Sequence, residues 1–361
     1  MRVCLLARKI VEEPETGFGR YSLSIYRGLV ERNIEVELLS QGSNIKPFHT
    51  ILSPIYYDVL APPLKLLARK IKRLRIDVYH AIDPTQGLYF PLIPKRNTVV
   101  FFHDMSGISS LWDTDARLLD NLWRIYDRVA TFLSLRYAGH VIVNSEQTKG
   151  ELVSKLKVPE EKVTVIPLGC SEMFQPLKRG QREIPTVGYL ADLVPRKRVD
   201  YLIRAFHILR QRHPDFRCRL EICGTGSEYE KLSKLASQLN LKPDVVFKGV
   251  IPDEEIVETY NNFDLFAFPS SYEGFGNIIL EAQKCGLPVL TTEDGKIPEE
   301  TKRFTVQCSS EGDMAEKIYA LLTNQSLYQE VSQKGQDYSK QFTWDRCVEK
   351  TIEVYEKVRS R

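Results

Sequence analysis

The chain has no C-x-x-C pair, no apolar run of membrane-spanning length, no fixed-period repeat, no low-complexity tract and a net charge of only +3. Its seven cysteines (Cys4, Cys170, Cys218, Cys223, Cys285, Cys308 and Cys347) are scattered and odd in number. That spacing argues against a disulfide framework or a cysteine-built zinc site and fits reduced, buried thiols. No apolar stretch approaches the roughly 20 residues of a transmembrane helix. Arg8-Lys9 interrupts the N-terminal apolar segment too early for a signal peptide. The small charge excess, 50 Lys and Arg against 47 Asp and Glu, does not suit a nucleic-acid surface. These absences lead to the expectation of a soluble, cytoplasmic protein with no nucleic-acid partner and no metal site.

What remains is an ordinary globular composition, 43% hydrophobic and 27% charged, over 361 residues. That length suits two domains rather than one core. Strand-like runs fall at 2–7, 34–39, 77–81, 98–102, 140–143 and 162–166, with a loop at 16–19 and a helix over about 20–32. A polar stretch with Pro and Gly, 174–182, resembles a linker. A second series follows at 186–190, 219–223, 245–248, 265–268 and 288–291. Helical patterns separate these strands, as with Val199, Leu202, Ile203, Phe206 and Leu209. The alternation predicts an α/β chain of two doubly wound, parallel-sheet, Rossmann-like domains, 1–175 and 176–341. Ligands of such sheets bind beyond the carboxyl ends of the strands, which points to a cleft between the domains.

The densest chemistry lies between Ser270 and Ala282. A short apolar strand ends in Ser270-Ser271-Tyr272-Glu273-Gly274-Phe275-Gly276-Asn277, and a helix then turns Ile279, Leu280 and Ala282 inward. The glycines permit backbone conformations and close approaches that a Cβ would block. Unpaired N–H groups at the helix start favour an anion such as a diphosphate. Glu273 before that start and Glu281 inside the helix supply two separated acceptors, one suited to a sugar and one to a ribose. Read as an isolated segment, the same residues also fit a solvated turn carboxylate and a helix-surface carboxylate.

Further motifs appear in a particular order. They are Thr16-Gly17-Phe18-Gly19-Arg20-Tyr21, Phe102-His103-Asp104, Val143-Asn144-Ser145-Glu146-Gln147-Thr148-Lys149, Val165-Ile166-Pro167-Leu168-Gly169, Gly224-Thr225-Gly226, the Glu273–Glu281 segment and Phe342-Thr343-Trp344. Together they resemble, nearly end to end, a retaining glycosyltransferase of family 4 with the two-domain GT-B architecture, in the form seen among mannosyltransferase-like members. The resemblance implies that a last helix, within 342–361, crosses back to the first, acceptor-binding domain. It implies a nucleoside-diphosphate sugar as co-substrate, with no cofactor and no required metal. Glu281 would then accept from the ribose, and Glu273 would hold the transferred sugar. Phe275, Gly276 and Asn277 would bring amides to the diphosphate, and Gly17 would let the opposite loop approach it. Lys197 would neutralise the leaving nucleotide, and His103 would contact the donor sugar.

One position departs from the family pattern. The arginine expected five residues before the lysine is Asp192. Arg196 or Arg198 would have to supply the missing charge, or the leaving group is held differently. A non-catalytic sugar-nucleotide-binding subunit of a glycosylation complex remains the alternative. A nicotinamide dehydrogenase fits poorly, because Ser22 stands where G-x-G-x-x-G needs its third glycine. Asp113-Thr114-Asp115 spells a metal-binding D-x-D of another architecture, but ahead of Arg117-Leu118-Leu119 it reads as a helix cap. The basic, amphipathic 65–75 segment reads as a helix packed on the sheet, while its composition is also compatible with peripheral contact on anionic lipid. GDP-mannose is the favoured donor, with a UDP-hexose next. The acceptor expected is a glycan, a lipid-linked sugar or a small glycoside.

Overall fold

Continuous apolar strands that would be insoluble alone become the centres of two sheets covered by helices. The protein is seen in a computed structural model that describes residues 1–10, 17–43, 75–105, 118–178 and 184–360. It divides into two units, Met1–Gly169 with Trp344–Arg361, and Cys170–Thr343.

In the first unit, β1 (Arg2–Ile10), β2 (Glu35–Ser43), β3 (Val78–Ala81), β4 (Thr98–Phe102), β5 (His140–Val143) and β6 (Val163–Val165) form a parallel sheet. Its order is β2-β1-β3-β4-β5-β6. Val3, Leu5, Val100, Phe101, Val141 and Ile142 have no exposed surface. The helices so far are α1 (Gly17–Glu31), α2 (Leu118–Tyr137) and α3 (Glu146–Leu156). Ser145 caps α3 by accepting from the Thr148 amide at 3.1 Å.

In the second unit, β7 (Thr186–Leu190), β8 (Arg219–Cys223), β9 (Val245–Gly249), β10 (Leu265–Ala267), β11 (Val289–Thr292) and β12 (Val306–Cys308) form another parallel sheet. Its order is β12-β11-β10-β7-β8-β9. The intervening helices are α4 (Val199–Arg212), α5 (Tyr229–Gln238), α6 (Ile256–Asn261), α7 (Asn277–Lys284), α8 (Glu299–Lys302), α9 (Glu311–Thr323) and α10 (Gln325–Ser339). As the periodicity requires, α4 buries Val199, Leu202, Ile203, Phe206 and Leu209. The polar stretch after Phe174 is anchored to this unit: Asn261 Oδ1 accepts from the Leu177 amide at 2.8 Å, and its Nδ2 donates to Gln175 O at 3.0 Å.

The chain then returns to the first unit as α11 (Trp344–Arg359). This helix packs along α1, where a Cβ on Gly28 would stand 2.5 Å from Val348 Cγ2. Its Tyr355 hydroxyl meets His80 Nδ1 at 2.6 Å.

Several boundaries differ from the sequence expectation. Helix α1 begins at Gly17 rather than near residue 20. Amides of a first helical turn lack partners in any case, so glycines there cost little. Strand β12 was not anticipated, because Val-Gln-Cys is short and partly exposed and carries no periodic signal. Residues 65–74 and 113–117 lie outside the described residues. All seven cysteines are free and buried. Among the described residues, no helix is long and apolar enough to cross a membrane.

Candidate functional site

The winding of the second sheet reverses between β7 and β10, which are neighbours although two strands separate them in sequence. The loops beyond the carboxyl ends of two such strands form the natural ligand crevice of an open parallel sheet. Here those loops are stitched together. Ser271 donates to Arg196 O through its amide at 2.8 Å and through Oγ at 2.9 Å. Behind them, Glu273 N donates to Lys296 O at 2.9 Å, and Lys296 N returns a bond to Ser271 O. Buried Lys302 holds that backing loop by donating to Glu293 O at 3.0 Å and Gly295 O at 3.1 Å.

This frame brings two cations and a hydroxyl to one carboxylate oxygen. Glu273 Oε1 accepts from Lys197 Nζ at 2.7 Å, Arg196 Nη1 at 2.9 Å and Ser270 Oγ at 2.6 Å. Arg196 Nη1 also donates to Tyr272 O at 3.1 Å. Lys197 and Glu273 are buried, whereas the Arg196 side chain is 42% exposed. Lys197 sits in a tight turn, Pro195–Lys197, closed by Arg198 in the left-handed conformation at φ 52°. Its ammonium lies 4.6 Å from the centre of the Phe268 ring. Burial lowers the Lys197 pKa; the Glu273 charge opposes that shift without cancelling it.

The turn after Glu273 leads into α7 through Gly276, at φ 89° and ψ 46°, a region costly for any residue with a Cβ. No side chain caps α7. Its first amides are therefore placed as donors for an anion. Asn277 Oδ1 is buried there with no hydrogen-bond partner. Phe275 is buried and its carbonyl accepts from Thr301 Oγ1. One α-helical turn further, Glu281 is buried with its Oε2 receiving the Tyr260 hydroxyl at 3.0 Å. The expected inward residues Ile279, Leu280 and Ala282 are fully buried.

Beside this crevice, Gly224 and Gly226 let the β8 loop lie against the β7 loop. A Cβ on Gly224 would stand 2.0 Å from Ala191 O, and one on Gly226 2.4 Å from Leu193 O. Asp192 is exposed, and its carbonyl accepts from the Tyr189 hydroxyl at 3.1 Å. Arg198 is committed to Asp294 through two bonds of 2.9 and 2.8 Å. Of the two arginines considered as substitutes for the missing cation, Arg196 is therefore the one directed at Glu273.

Gly17 and His103 belong to the first unit. Gly17 opens α1, and His103 directly follows β4. The His103 ring packs edge-on to Phe101 at 4.3 Å and Tyr21 at 5.7 Å between centroids. Burial pushes its pKa down to about 3, against a hydrogen bond with the Ile82 main chain. The imidazole is thus neutral at physiological pH.

Ser270, Tyr260 and Lys302 were not foreseen as members of this site. Ser270 opens the segment that carries Glu273 and so offered a signal. Tyr260 and Lys302 lie in other helices and carried none.

The sequence pattern described as Glycosyltransferase Family 4 matches residues 16–174, and that described as Glycosyl transferases group 1 matches residues 174–338. The chain is 25% identical over 386 aligned positions to O-antigen chain mannosyltransferase B of Escherichia coli, covering 97% of this chain and 98% of that one. It is 28% identical over 239 positions to D-inositol 3-phosphate glycosyltransferase of Corynebacterium jeikeium, a match spanning 60% of this chain and 57% of that relative. The fold is also that of the Anabaena protein HepE solved in complex with UDP, with a TM-score of 0.70 at 18% identity, covering 99% of this chain and all of that one.

Proposed function

The chain belongs to the group 1, family 4 glycosyltransferases, retaining enzymes of GT-B fold that take a sugar from a nucleotide sugar, and we propose that it moves a hexose, mannose first, from a nucleoside diphosphate to a sugar-bearing acceptor without a metal. The observation that carries this reading is the convergence of Lys197, Arg196 and Glu273 beside the uncapped start of α7. When the bond between the anomeric carbon and the diphosphate oxygen breaks, negative charge grows on the leaving group and positive charge on the sugar. Lys197, Arg196 and the amides of residues 275–277 act on the first, and Glu273 on the second. Preorganised groups of this kind supply the largest catalytic term where the protein has little covalent work to do. Two fixed cations serve the role that a divalent ion plays in other transferases.

Glu281 binds the ribose, Tyr260 holds Glu281 in place, and neutral His103 donates to or accepts from a donor-sugar hydroxyl. Gly17 gives the first unit's loop close access to the diphosphate. Residues 1–175 serve the acceptor, residues 176–341 the donor, and the returning helix within 342–361 ties the ends together. Mannose is supported by Gly17-Phe18-Gly19-Arg20-Tyr21 and by the Escherichia coli relative's name. The UDP in the HepE complex supports a UDP-hexose as the second choice. The acceptor class is a glycan, a lipid-linked sugar or a small glycoside on the cytoplasmic side.

The test is donor hydrolysis by the purified enzyme across a panel of nucleotide sugars. GDP-mannose should be hydrolysed fastest and should raise the unfolding temperature most. A panel in which no nucleotide sugar is hydrolysed or protective refutes the assignment of this crevice.

A further inference from the structure

The amino-terminal edge of the first unit's sheet carries an apolar, cationic surface that donor chemistry does not use. Lys95 lies just before β4, Arg136 just before β5, and Lys157 and Lys162 just before β6. Because the three strands run parallel, these cations are at the opposite end of the sheet from His103. With Phe132 and Leu156 they line a cavity of about 290 Å³. Among the described residues none of the four has a carboxylate partner. Glu160 is engaged by Lys149 at 2.8 Å, which leaves Glu161 as the turn's remaining acid. Lys95 Nζ donates to Arg136 O at 3.1 Å. Burial lowers its pKa, and the hydrogen bond and charge of Lys162 and the charge of Arg136 lower it further. Crowded like charges of this kind favour an incoming anion.

Helix α2 extends the cavity as an apolar stripe. Ile125, Val129, Phe132 and Arg136 recur at helical spacing on its outer face, where charged residues ordinarily stand. Ile125 is 40% exposed, Val129 52% and Phe132 65%, and the neighbouring Tyr126 and Tyr137 are 41% and 40% exposed. Single exposed apolar residues carry no message, but a contiguous row rimmed by cations marks an interaction surface.

We propose that this edge docks the first unit on an anionic phospholipid surface. The α2 stripe enters the boundary between headgroups and acyl chains, and a lipid phosphate is seated among Lys95, Arg136, Lys157 and Lys162. A second copy of the chain would bring four cations against four, and like charges across an interface repel. A free phosphate would satisfy the cations and leave Phe132 in water. Each basic residue near an anionic leaflet changes partitioning about fivefold. Amphipathic helices bind in the plane of such a surface through apolar contact and charge together.

The test is co-sedimentation of the full chain with phosphatidylcholine vesicles, with and without phosphatidylglycerol. Wild type should pellet only with phosphatidylglycerol, and less as salt rises. Lys157→Glu with Lys162→Glu should lose at least twentyfold in partitioning, and Phe132→Ser should lose several-fold. Both variants should keep wild-type unfolding temperatures, since the altered side chains are at the surface. Equal pelleting of wild type and variants, equal pelleting with both vesicle types, or no pelleting at all overturns the proposal. So does a dimer in light scattering that Phe132→Ser dissolves. Stabilisation by inorganic phosphate that Lys157→Glu abolishes, in a chain that ignores vesicles, would assign the cavity to a small anion instead.

Discussion

Lys197 Nζ lies 2.7 Å from Glu273 Oε1, a buried ion pair between residues 76 positions apart in sequence. The same oxygen receives Arg196 at 2.9 Å. Together they place two positive charges and one negative charge where two loops meet at the reversal of the second sheet. The arrangement is net positive before any donor arrives, and the net charge is the one a diphosphate requires.

In the proposed reaction Arg196 supplies the second cation that Asp192 cannot. Removing a preorganised donor to a developing charge costs roughly 10²–10³-fold in turnover. Lys197→Ala should fall in that range, and Arg196→Ala should approach it on the same donor. A near-normal Arg196→Ala enzyme would leave Lys197 as the lone cationic side chain acting on the leaving group.

In its proposed role Lys197 must be charged, and burial holds its pKa below the ordinary 10.5. The value of kcat/KM, which reports the free enzyme, should therefore fall on an alkaline limb below pH 10.5, and Lys197→Arg should move that limb upward. Stability should follow the opposite sign. Between the lowered folded value and 10.5 the unfolded chain binds more protons, so this group's contribution to stability rises with pH. An alkaline limb that stays in place in Lys197→Arg would assign the titration to another group.

The Tyr260 hydroxyl, 3.0 Å from Glu281 Oε2, orients the proposed ribose acceptor. A hydrogen bond to a charged group contributes about 1.5–3 kcal/mol. Glu281→Ala should weaken nucleoside-diphosphate binding about tenfold or more, and Tyr260→Phe by a smaller factor with turnover largely kept. Calorimetric titration with free nucleotide decides this; equal affinity in wild type and Glu281→Ala would remove Glu281 from the ribose site.

His80 is fully buried and its pKa is pushed down from 6.5 to about 3 by loss of solvation. Between those values the unfolded chain binds the extra proton, so stability falls as pH drops through this window. Lowering pH from 6.5 to 5 should cost about 1.6 kcal/mol at this site, the slope reaching about 1.4 kcal/mol per pH unit only well below 6.5. His80→Gln, which keeps a partner for Tyr355, should show a smaller acid-induced fall in Tm. Parallel falls in the two proteins would show that His80 is not the titrating group.

Turnover should survive EDTA, because the charges proposed to act on the leaving group are side-chain cations and amides. The product should keep the donor's anomeric configuration by NMR. Loss of turnover on chelation, restored by a divalent ion, would replace the proposed role of Arg196 with that of a metal.

Local pattern alone determined most of the framework. Apolar runs such as 98–102, 140–143 and 186–190 have the composition of strands buried on both faces, and their ranges coincide with β4, β5 and β7. The Gly274–Gly276 turn before an apolar helix likewise announced the Glu273–Glu281 segment. These features are local because backbone sterics and side-chain period act over a few residues. Only tertiary structure decided which side chains share an atom. Arg196 meets Glu273 and Arg198 meets Asp294 because loops distant in sequence come together beyond the ends of β7, β10 and β11, which lie in succession in the sheet. Tyr260 reaches Glu281, 21 positions further along the chain, through its hydroxyl at 3.0 Å. Strand β12, with no periodic signal of its own, takes its place from pairing with β11. Periodicity specifies the face a residue occupies, and the order of strands in the sheet specifies what that face meets.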